Sequence, residues 1–514
     1  MDLVKLGLTA QELPGAVPAR TIRVNPEQFR AVCQEALTEG GLLQALWASD
    51  ERDSGSGYLL RVALQDAQGL VIVELPITNE DDGYPNLAEI FPAADRMQRA
   101  VDDLLGLKSW SGDTRPWLRH AAWPMDYFPL RKDSHPPESA AIRDEHYAFV
   151  PVRGDGVHEI AVGPVHAGTI EPGHFRFSVV GEKVLRLEER LGYTHKGIER
   201  RFQGMAVEAG QRLAARVSGD SAVAFSWAYC MAAESLSGTT PPPRALWLRA
   251  LWLERERIAN HLGDLGALGN DAGFGVGLAQ FSRLKEDLLR ANERAVGARY
   301  PMDVITPGGI ATDFDDTQRR ALKADISPLR AEIQVLREIY DDHAGLQDRF
   351  VGAGRVEPGL ARKLGLIGLA GRASGQAWDL RTDHPHPPYD QLEVRMCGRL
   401  EGDVAARVAV RFDELNESLL LCEAILDELP IGDILAPRAA PTAGRLGLGW
   451  IEGWRGPVFV ALEMTETGGI RRCHPHDPSW QNWPVLEHAI IGNIVPDFPL
   501  INKSFNLSYS GHDI

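Results

Sequence analysis

Cysteine is scarce in this chain. Five occur in 514 residues, and no two of them are spaced as Cys-x-x-Cys. The odd number and the wide spacing favour a reducing compartment over a disulfide framework. Because iron–sulfur clusters are held by sets of cysteine thiolates, we expect no cluster bound by this chain alone. The five are Cys33, Cys230, Cys397, Cys422 and Cys473.

Long apolar runs are missing as well, and so is an excess of basic residues. No stretch approaches the roughly 18 uncharged apolar residues that a membrane helix needs, and the start of the chain lacks a signal-peptide hydrophobic region. We therefore expect any membrane association to come through partner proteins. The 71 acidic residues outnumber the 54 basic ones and give a net charge of −17, which argues against a nucleic-acid partner.

The composition that remains is that of a soluble globular protein, 44% hydrophobic and 24% charged. The length predicts two or more domains. The first part of the chain has an α+β pattern. β-Rich runs at residues 58–64 and 70–75 predict an antiparallel hairpin. Apolar residues at helical spacing from Phe91 to Leu105 predict a helix that stops at Gly106.

The rest of the chain is predicted to be mainly helical. Apolar stripes with a helical period run through residues 245–262 and 322–339. Pro328 should kink the second of these helices, because proline removes a backbone donor and crowds the preceding turn. A polar, proline-bearing stretch at residues 134–146 is predicted to link the two parts.

The end of the first part resembles a known family. Asp103-Leu-Leu-Gly-Leu107 and Pro129-Leu-Arg-Lys-Asp133 are similar to segments of the 30-kDa subunit of respiratory complex I. One departure is Gln98-Arg-Ala100, where that family usually has Glu-Arg-Glu. The resemblance implies a 30-kDa-type α+β domain over residues 1–133.

A longer series of motifs in the second part resembles the large subunits of nickel–iron hydrogenases and the 49-kDa subunit of complex I. The motifs keep the family's order, and they cover residues 163–176, 190–200, 244–262, 307–310, 372–385 and 482–484. The chain is therefore identified as a member of the group 4 hydrogenase family (formate hydrogenlyase and hydrogenase-4), of the energy-converting-hydrogenase-related type. This resemblance implies that residues 147–514 form a mainly helical domain with small antiparallel sheets.

Four positions of that family have lost a metal ligand. Its hydrogenases hold nickel with two Cys-x-x-Cys pairs; this chain has Ser218 and Ser221 at the first pair, and Ser508 and Gly511 at the second. Nickel in such a site needs thiolates, whereas a serine hydroxyl is a hard ligand that stays protonated at neutral pH. We expect no nickel–iron centre and no bound metal.

The quinone ligands of complex I are not retained either. In that family a histidine and a tyrosine bind quinone, and their places fall here at Ile170 and at about Gly219. This argues against complex I-type quinone reduction. A quinone-like molecule in the emptied cavity stays open as a hypothesis.

A set of ionisable residues does match the family. Glu171 falls where hydrogenases have a glutamate that relays protons from the metal, and His166 lies in the same motif. Arg372, Arg381 and Asp383 match polar residues that line the cavity. For each there is a structural alternative: Glu171 as a cap or salt bridge of a turn, and Arg381 with Asp383 as an ion pair. No residue is assigned a catalytic role.

Three other patterns are given structural interpretations. Cys473-His-Pro-His476 and His384-Pro-His386 lack zinc-site spacing, so we expect loops there. Residues 254–257, Glu-Arg-Glu-Arg, are expected to be a solvated or subunit-facing stretch of helix. The serines have no activating neighbour in the sequence, which argues against nucleophilic catalysis.

The resemblance implies a subunit of a membrane-associated oxidoreductase complex, at the junction where electron transfer is coupled to ion translocation. Implied partners are a small iron–sulfur subunit of the complex I 20-kDa type, which would hold the nearest cluster, and antiporter-like membrane subunits. The implied location is peripheral, on the cytoplasmic face of the inner membrane. A quinone reductase, an active hydrogenase and a scaffold without chemistry are the alternatives. We also expect Ile514 to be the mature C-terminus.

Overall fold

The first part of the chain forms a five-stranded sheet with two helices. The strand order is β1-β2-β5-β4-β3, and all neighbours are antiparallel except β2 and β5. The computed structural model describes residues 1–136, 146–166, 170–437, 439, 442 and 444–514. The elements of the first part are β1 (Gln11–Glu12), β2 (Ala19–Arg23), α1 (Pro26–Thr38), β3 (Leu42–Asp50), β4 (Tyr58–Asp66), β5 (Gly69–Ile77) and α2 (Ala94–Leu105).

Local sequence signals explain these elements. The predicted hairpin is confirmed, since β4 and β5 pair antiparallel from Tyr58 and Ile77 to Asp66 and Gly69. The predicted helix is α2, and it ends at Gly106, whose φ of 76° suits a residue without a side chain. Most of the predicted linker, residues 137–145, lies outside the described residues, so the domain boundaries stay predictions.

The second part is mainly helical with small antiparallel sheets, as the fold class predicted. The sheets are β6-β7-β8, β9-β10 and β11-β12-β13. Its elements are β6 (Val157–Val162), β7 (His174–Val180), β8 (Lys183–Arg190), α3 (Ile198–Phe202), α4 (Val207–Ala214), α5 (Ala222–Ser237), α6 (Pro243–Asp271), α7 (Gly275–Val296), β9 (Ile305–Thr306), β10 (Gly309–Ile310), α8 (Asp316–Ala324), α9 (Ile326–Asp342), α10 (Ala344–Phe350), α11 (Pro358–Leu364), α12 (Gly368–Arg372), α13 (Leu380–Asp383), α14 (Val404–Glu428), β11 (Leu446–Glu452), β12 (Pro457–Met464), β13 (Ile470–His476), α15 (Ser479–Ala489), α16 (Phe498–Phe505) and α17 (Tyr509–His512).

Helix α6 lies at the centre of the second part, where it packs against α5, α7, α14 and α16. The expectation of a solvated stretch at residues 254–257 was wrong. All four side chains are buried, and Glu254 and Arg257 are 0% exposed. A helix enclosed on every side must pair the charges it carries. Glu254 and Arg257 belong to an internal ion-pair network, whereas Arg255 donates to Asn292 and Glu256 accepts from the backbone N–H groups of Val223 and Ala224.

The helix that contains Pro328 is interrupted at one residue, Asp325, which keeps right-handed helical backbone angles (φ −75°, ψ −18°). Helix α8 ends at Ala324 and α9 begins at Ile326. Proline has no N–H for the carbonyl four residues earlier, and its ring collides with that carbonyl. That carbonyl belongs to Ala324, the last residue of α8, so the interruption falls one turn before the proline.

Buried ion pairs join the two parts. Arg96 of α2 donates to Glu189 at 2.9 Å and to Glu487 at 2.7 Å, and Arg61 of β4 donates to Glu463 of β12. The first part is thereby fixed against β8, α15 and the β11-β12-β13 sheet. Among the described residues, none of the helices is both long and apolar enough to cross a membrane.

Candidate functional site

The two serine-bearing segments meet in the fold. Ser218 lies in the turn before α5, and Ser508 lies just before α17. Their side-chain oxygens are 2.9 Å apart although 290 residues separate them in the chain. Both residues are buried. The structure therefore brings together the positions that the sequence singled out, and we call Ser218, Ser221, Ser508 and Gly511 the serine site.

Helix ends position the other members of the serine site. Ser221 precedes the first residue of α5, where its carbonyl accepts from Phe225 N. Ser508 caps α17, since its hydroxyl oxygen accepts from Gly511 N at 2.8 Å. The Ser508 hydroxyl thus serves a local hydrogen bond as well as the site, which explains why serine is stable when buried at this position.

An ion pair between the buried Arg455 and the half-buried Asp220 closes one side of the serine site. The Ser218 hydroxyl donates to Asp220 Oδ1 at 2.7 Å. Arg455 donates to both carboxylate oxygens of Asp220 and lies 3.5 Å from the Ser221 hydroxyl. Burial acts to raise the pKa of Asp220, but the Arg455 guanidinium outweighs burial and holds that pKa at about 2. Asp220 is therefore a fixed negative charge beside the serines.

A second carboxyl, Asp477, faces Gly511. Its Oδ1 accepts from Ser479 N at 2.8 Å, while its Oδ2 has no hydrogen-bond partner among the described residues. Burial raises the pKa of Asp477. A Cβ atom on Gly511 would lie 2.5 Å from this Oδ2, so only glycine fits at this position without displacing the carboxyl group.

Glu171 lies beside the serine site. Its Oε2 accepts from Ser510 N at the start of α17, at 3.2 Å. This contact agrees with the alternative in which Glu171 caps a turn, and its role as a proton relay stays a prediction. His166 of the same motif bonds through Nε2 to the carbonyl oxygen of Gly173 at 2.8 Å.

Arg372 and Arg381 lie in a different place, inside the core. Arg381 does not pair with Asp383 as expected. It donates to Asp379 at 2.7 Å and to Glu254 at 3.2 Å. Asp383 accepts from the backbone N of Asp379 instead, because α13 is a single turn and points its carboxylate back at its own N-terminus.

The core arginines belong to one buried group, which we call the Arg372 cluster. No member is more than 2% exposed. Its members are Glu254, Arg257, His261, Arg372, Asp379, Arg381, Glu414 and Glu452.

A tight turn connects the Arg372 cluster to the serine site. Glu452 ends β11 within the cluster, and Arg455, three residues later, binds Asp220. Trp454 Nε1 donates to the Asp220 carbonyl at 2.8 Å. The two groups of candidate residues are therefore joined by one turn, residues 453–456. They do not line one common cavity.

Only part of the histidine and cysteine pattern lies in loops. Residues 473–476 lie in β13, so the expectation of a loop was wrong there; β13 is at the edge of its sheet, where a proline is tolerated. His474 bonds to Glu199 at 2.7 Å. Among the described residues, no group of three His, Cys, Asp or Glu side chains is arranged to hold a metal ion.

A basic cleft of about 600 Å³ opens next to the serine site. Lys196, on its wall, donates to the carbonyl of Val217, the residue before Ser218. Arg200 and Arg201 are exposed. Trp123 and Tyr127 also line the cleft, and none of the described lining residues is acidic.

Comparison with known proteins agrees with this architecture. Residues 22–140 match the family described as respiratory-chain NADH dehydrogenase, 30 Kd subunit, and residues 271–445 match the 49 Kd subunit. Formate hydrogenlyase subunit 5 of Escherichia coli (strain K12) is 32% identical to this chain, and the match covers 92% of this chain and 85% of that protein. The chain belongs to this family of fused 30-kDa and 49-kDa subunits.

One further relative of the fused subunit and one solved structure extend the comparison. Hydrogenase-4 component G of the same organism is 30% identical over 92% of this chain and 84% of its own length. A chain of the membrane-bound sulfane sulfur reductase, described as an archaeal respiratory membrane complex, shares the fold. Its TM-score is 0.66 at 24% identity, covering 71% of this chain and 100% of that chain.

The sequence alone missed Arg455, Asp477 and Glu452. Asp220 carried a weak signal, because it lies between Ser218 and Ser221 in a segment already singled out. Arg455 and Asp477 carried none, since each reaches the fused subunit's serine site from a distant strand or turn.

We expect Gly511→Ala to destabilise the fused subunit by roughly 1–3 kcal/mol, because the added methyl group must displace the buried Asp477 carboxyl. Gly219→Ala is the matched control. A Cβ there meets nothing within 4 Å, so its effect should stay within about 0.5 kcal/mol. Chemical denaturation of both variants measures the difference, and equal midpoints would mean that Asp477 moves freely.

Proposed function

We propose that this fused subunit works without a nickel–iron centre, as a peripheral part of a membrane-associated oxidoreductase complex. Its place would be the junction between electron transfer and ion translocation, on the cytoplasmic face of the membrane. The observation that carries the proposal is the pair of hydroxyl groups at 2.9 Å, Ser218 and Ser508, in the two segments where hydrogenase relatives would need thiolates.

The donor set of the serine site does not fit nickel. Nickel prefers soft, deprotonated sulfur, and serine offers a hard, protonated oxygen. The Ser508 hydroxyl is already committed to Gly511 N, and that of Ser218 to Asp220. Asp220 is already paired with the guanidinium of Arg455, so its carboxylate does not need a metal as counter-charge.

The cysteines of the chain do not substitute for the missing ligands. Cys33, Cys230, Cys422 and Cys473 are buried in helices or strands, and none of them lies in the two serine-bearing segments. Burial raises the pKa of both Cys33 and Cys422 to about 12. A thiol that stays protonated at neutral pH is a poor metal ligand, which supports a chain that relies on a partner for its redox centre.

The basic cleft supports a docking role. The chain as a whole has a net charge of −17, yet Lys196, Arg200 and Arg201 gather beside the serine site. Local positive charge attracts an acidic partner surface. We propose that a small iron–sulfur subunit docks there and that antiporter-like subunits anchor the complex to the membrane.

Purification of the native complex in mild detergent tests this proposal. We expect iron from the partner's clusters, no stoichiometric nickel, and membrane subunits in the same particle. Elemental analysis with about one nickel per chain would overturn the metal-free assignment. Recovery of a soluble homo-oligomer without an iron–sulfur protein would overturn the assignment to a complex.

A pair of charge reversals tests the docking face. Arg200→Glu with Arg201→Glu should release the iron–sulfur subunit from the purified particle, because it turns an attractive surface repulsive. Arg290→Glu with Arg294→Glu, on the exposed face of α7, makes the same change in charge elsewhere and should leave the particle intact. Retention in both variants would place the partner on another face.

A further inference from the structure

The Arg372 cluster has an unbalanced set of charges. It contains four carboxyl groups (Glu254, Asp379, Glu414 and Glu452) and three guanidinium groups (Arg257, Arg372 and Arg381), all buried. With every carboxyl ionised and His261 neutral, the cluster would carry one unpaired negative charge. A net charge inside a protein core is costly, so one proton bound within the cluster would restore neutrality.

Three of the carboxylates are held as ions by direct contacts. Arg381 binds Asp379 and Glu254, and Arg257 also donates to Glu254 at 3.2 Å. Glu254 further accepts from the hydroxyls of Tyr389 and Ser418. Arg372 donates through Nε to Glu414 at 2.9 Å.

His261 is a poor place for the extra proton. Its Nε2 lies 3.0 Å from Glu414 Oε2, so a hydrogen on Nε2 satisfies that contact. Its Nδ1 is buried and has no partner among the described residues. A second proton on Nδ1 would be a buried donor without an acceptor, which is costly. Burial also lowers the pKa of His261.

Glu452 is the carboxyl that remains. It accepts one side-chain bond, from Arg372 at 2.8 Å, and a longer bond from Leu380 N at 3.2 Å. Arg372 is shared with Glu414. Burial and the nearby Asp379 raise the pKa of Glu452 to about 7. The charged groups around it are Glu254, Arg257 and His261 of α6, Arg372 of α12, Asp379, Arg381 of α13, and Glu414 of α14.

The position of Glu452 links its charge to the serine site. Arg257 donates to the carbonyls of Glu452 and Gly453 at 2.8 and 2.9 Å. The following turn carries Arg455, which binds Asp220 beside Ser218. A change of charge on Glu452 therefore acts on the residues that hold the turn.

We propose that Glu452 is a reversible proton-binding site, built into the core next to the serine site and coupled to it through the 453–456 turn. The step is a proton transfer alone: a proton from water joins the Glu452 carboxylate, the cluster goes from one negative charge to neutral, and the reverse step returns the proton. Its use in ion coupling rests on the proposed function, whereas the proton binding itself does not.

Infrared spectroscopy of the whole chain labelled with ¹³C-glutamate tests the proposal. The carboxylic acid C=O stretch of one buried glutamate should titrate near neutral pH and should be absent in Glu452→Gln. Glu254→Gln is the decisive second variant. It leaves three carboxyls and three guanidiniums, so Glu452 should ionise and the same band should disappear although Glu452 is still present. Burial also raises the pKa of Glu256, to about 8, and that of Glu189, so the band is identified in the difference between the wild-type and Glu452→Gln spectra. A difference without such a band, or a band that persists in Glu254→Gln, would overturn the assignment.

Stability against pH gives a measurement that does not depend on spectral assignment. A glutamate whose pKa is raised on folding stabilises the protein fully below its unfolded pKa, and this stabilisation is lost as pH rises through the folded pKa. Between about pH 5 and 7 the unfolding constant of the wild type should rise about tenfold per pH unit relative to Glu452→Gln. Parallel pH profiles would overturn the proposal, whatever the complex is found to do.

Discussion

Arg372→Met is expected to destabilise the protein by about 3–5 kcal/mol, the largest effect we expect from a single substitution. Arg372 is 1% exposed and contacts Glu414 and Glu452 at 2.8 to 2.9 Å. Methionine has a similar volume, so packing is largely kept while Glu414 loses its main partner. The expected loss of stability is the free-energy cost of keeping the buried Glu414 carboxylate without a counter-charge. Chemical denaturation followed by tryptophan fluorescence measures it.

Two further variants separate charge from packing. Arg216→Met removes an exposed ion pair with Asp303 and should cost less than about 1 kcal/mol. Adding Glu414→Gln to Arg372→Met removes the stranded charge and should recover much of the lost stability. If the double variant is no better than the single one, the loss comes from packing and the cluster is not governed by charge balance.

Arg96→Met is expected to loosen the junction between the two parts, at a cost of roughly 3 kcal/mol. Arg96 reaches from α2 to Glu189 and Glu487, and its guanidinium lies 4.5 Å from the centre of the Trp117 ring. Without it Glu189, which is 1% exposed, must either stay charged in the core or take up a proton.

The matched control for the junction is Arg30→Met. Arg30 lies in the same part of the chain but makes an exposed pair with Glu89, so its loss should change stability by less than about 1 kcal/mol. Hydrogen exchange of α2 and β8 in both variants locates the effect. Faster exchange in Arg96→Met alone supports the junction, and equal protection in the two variants would contradict it.

Much of the fold could be predicted because its signals are local. The hairpin β4–β5, the helix ending at Gly106 and the long helix containing residues 245–262 follow from periodicity and stop residues. The sequence predicted a disturbance of the helix at Pro328, because proline removes a backbone hydrogen bond. It did not show that the interruption would fall at Asp325. The strand at residues 470–476 was missed because a proline such as Pro475 argues against a strand in the sequence alone.

The candidate site, too, was predictable from the sequence only in part. The sequence alone determined which donor atoms positions 218, 221, 508 and 511 can offer, three hydroxyls and none from the glycine, because the chemistry of a donor atom is a property of the residue. Only the tertiary structure decided which charges face one another. Glu254 and Arg257 looked solvated by composition and are buried, and Arg381 pairs with Asp379 instead of Asp383. Pairing inside a core depends on contacts between elements distant in the chain, and no local pattern encodes those contacts.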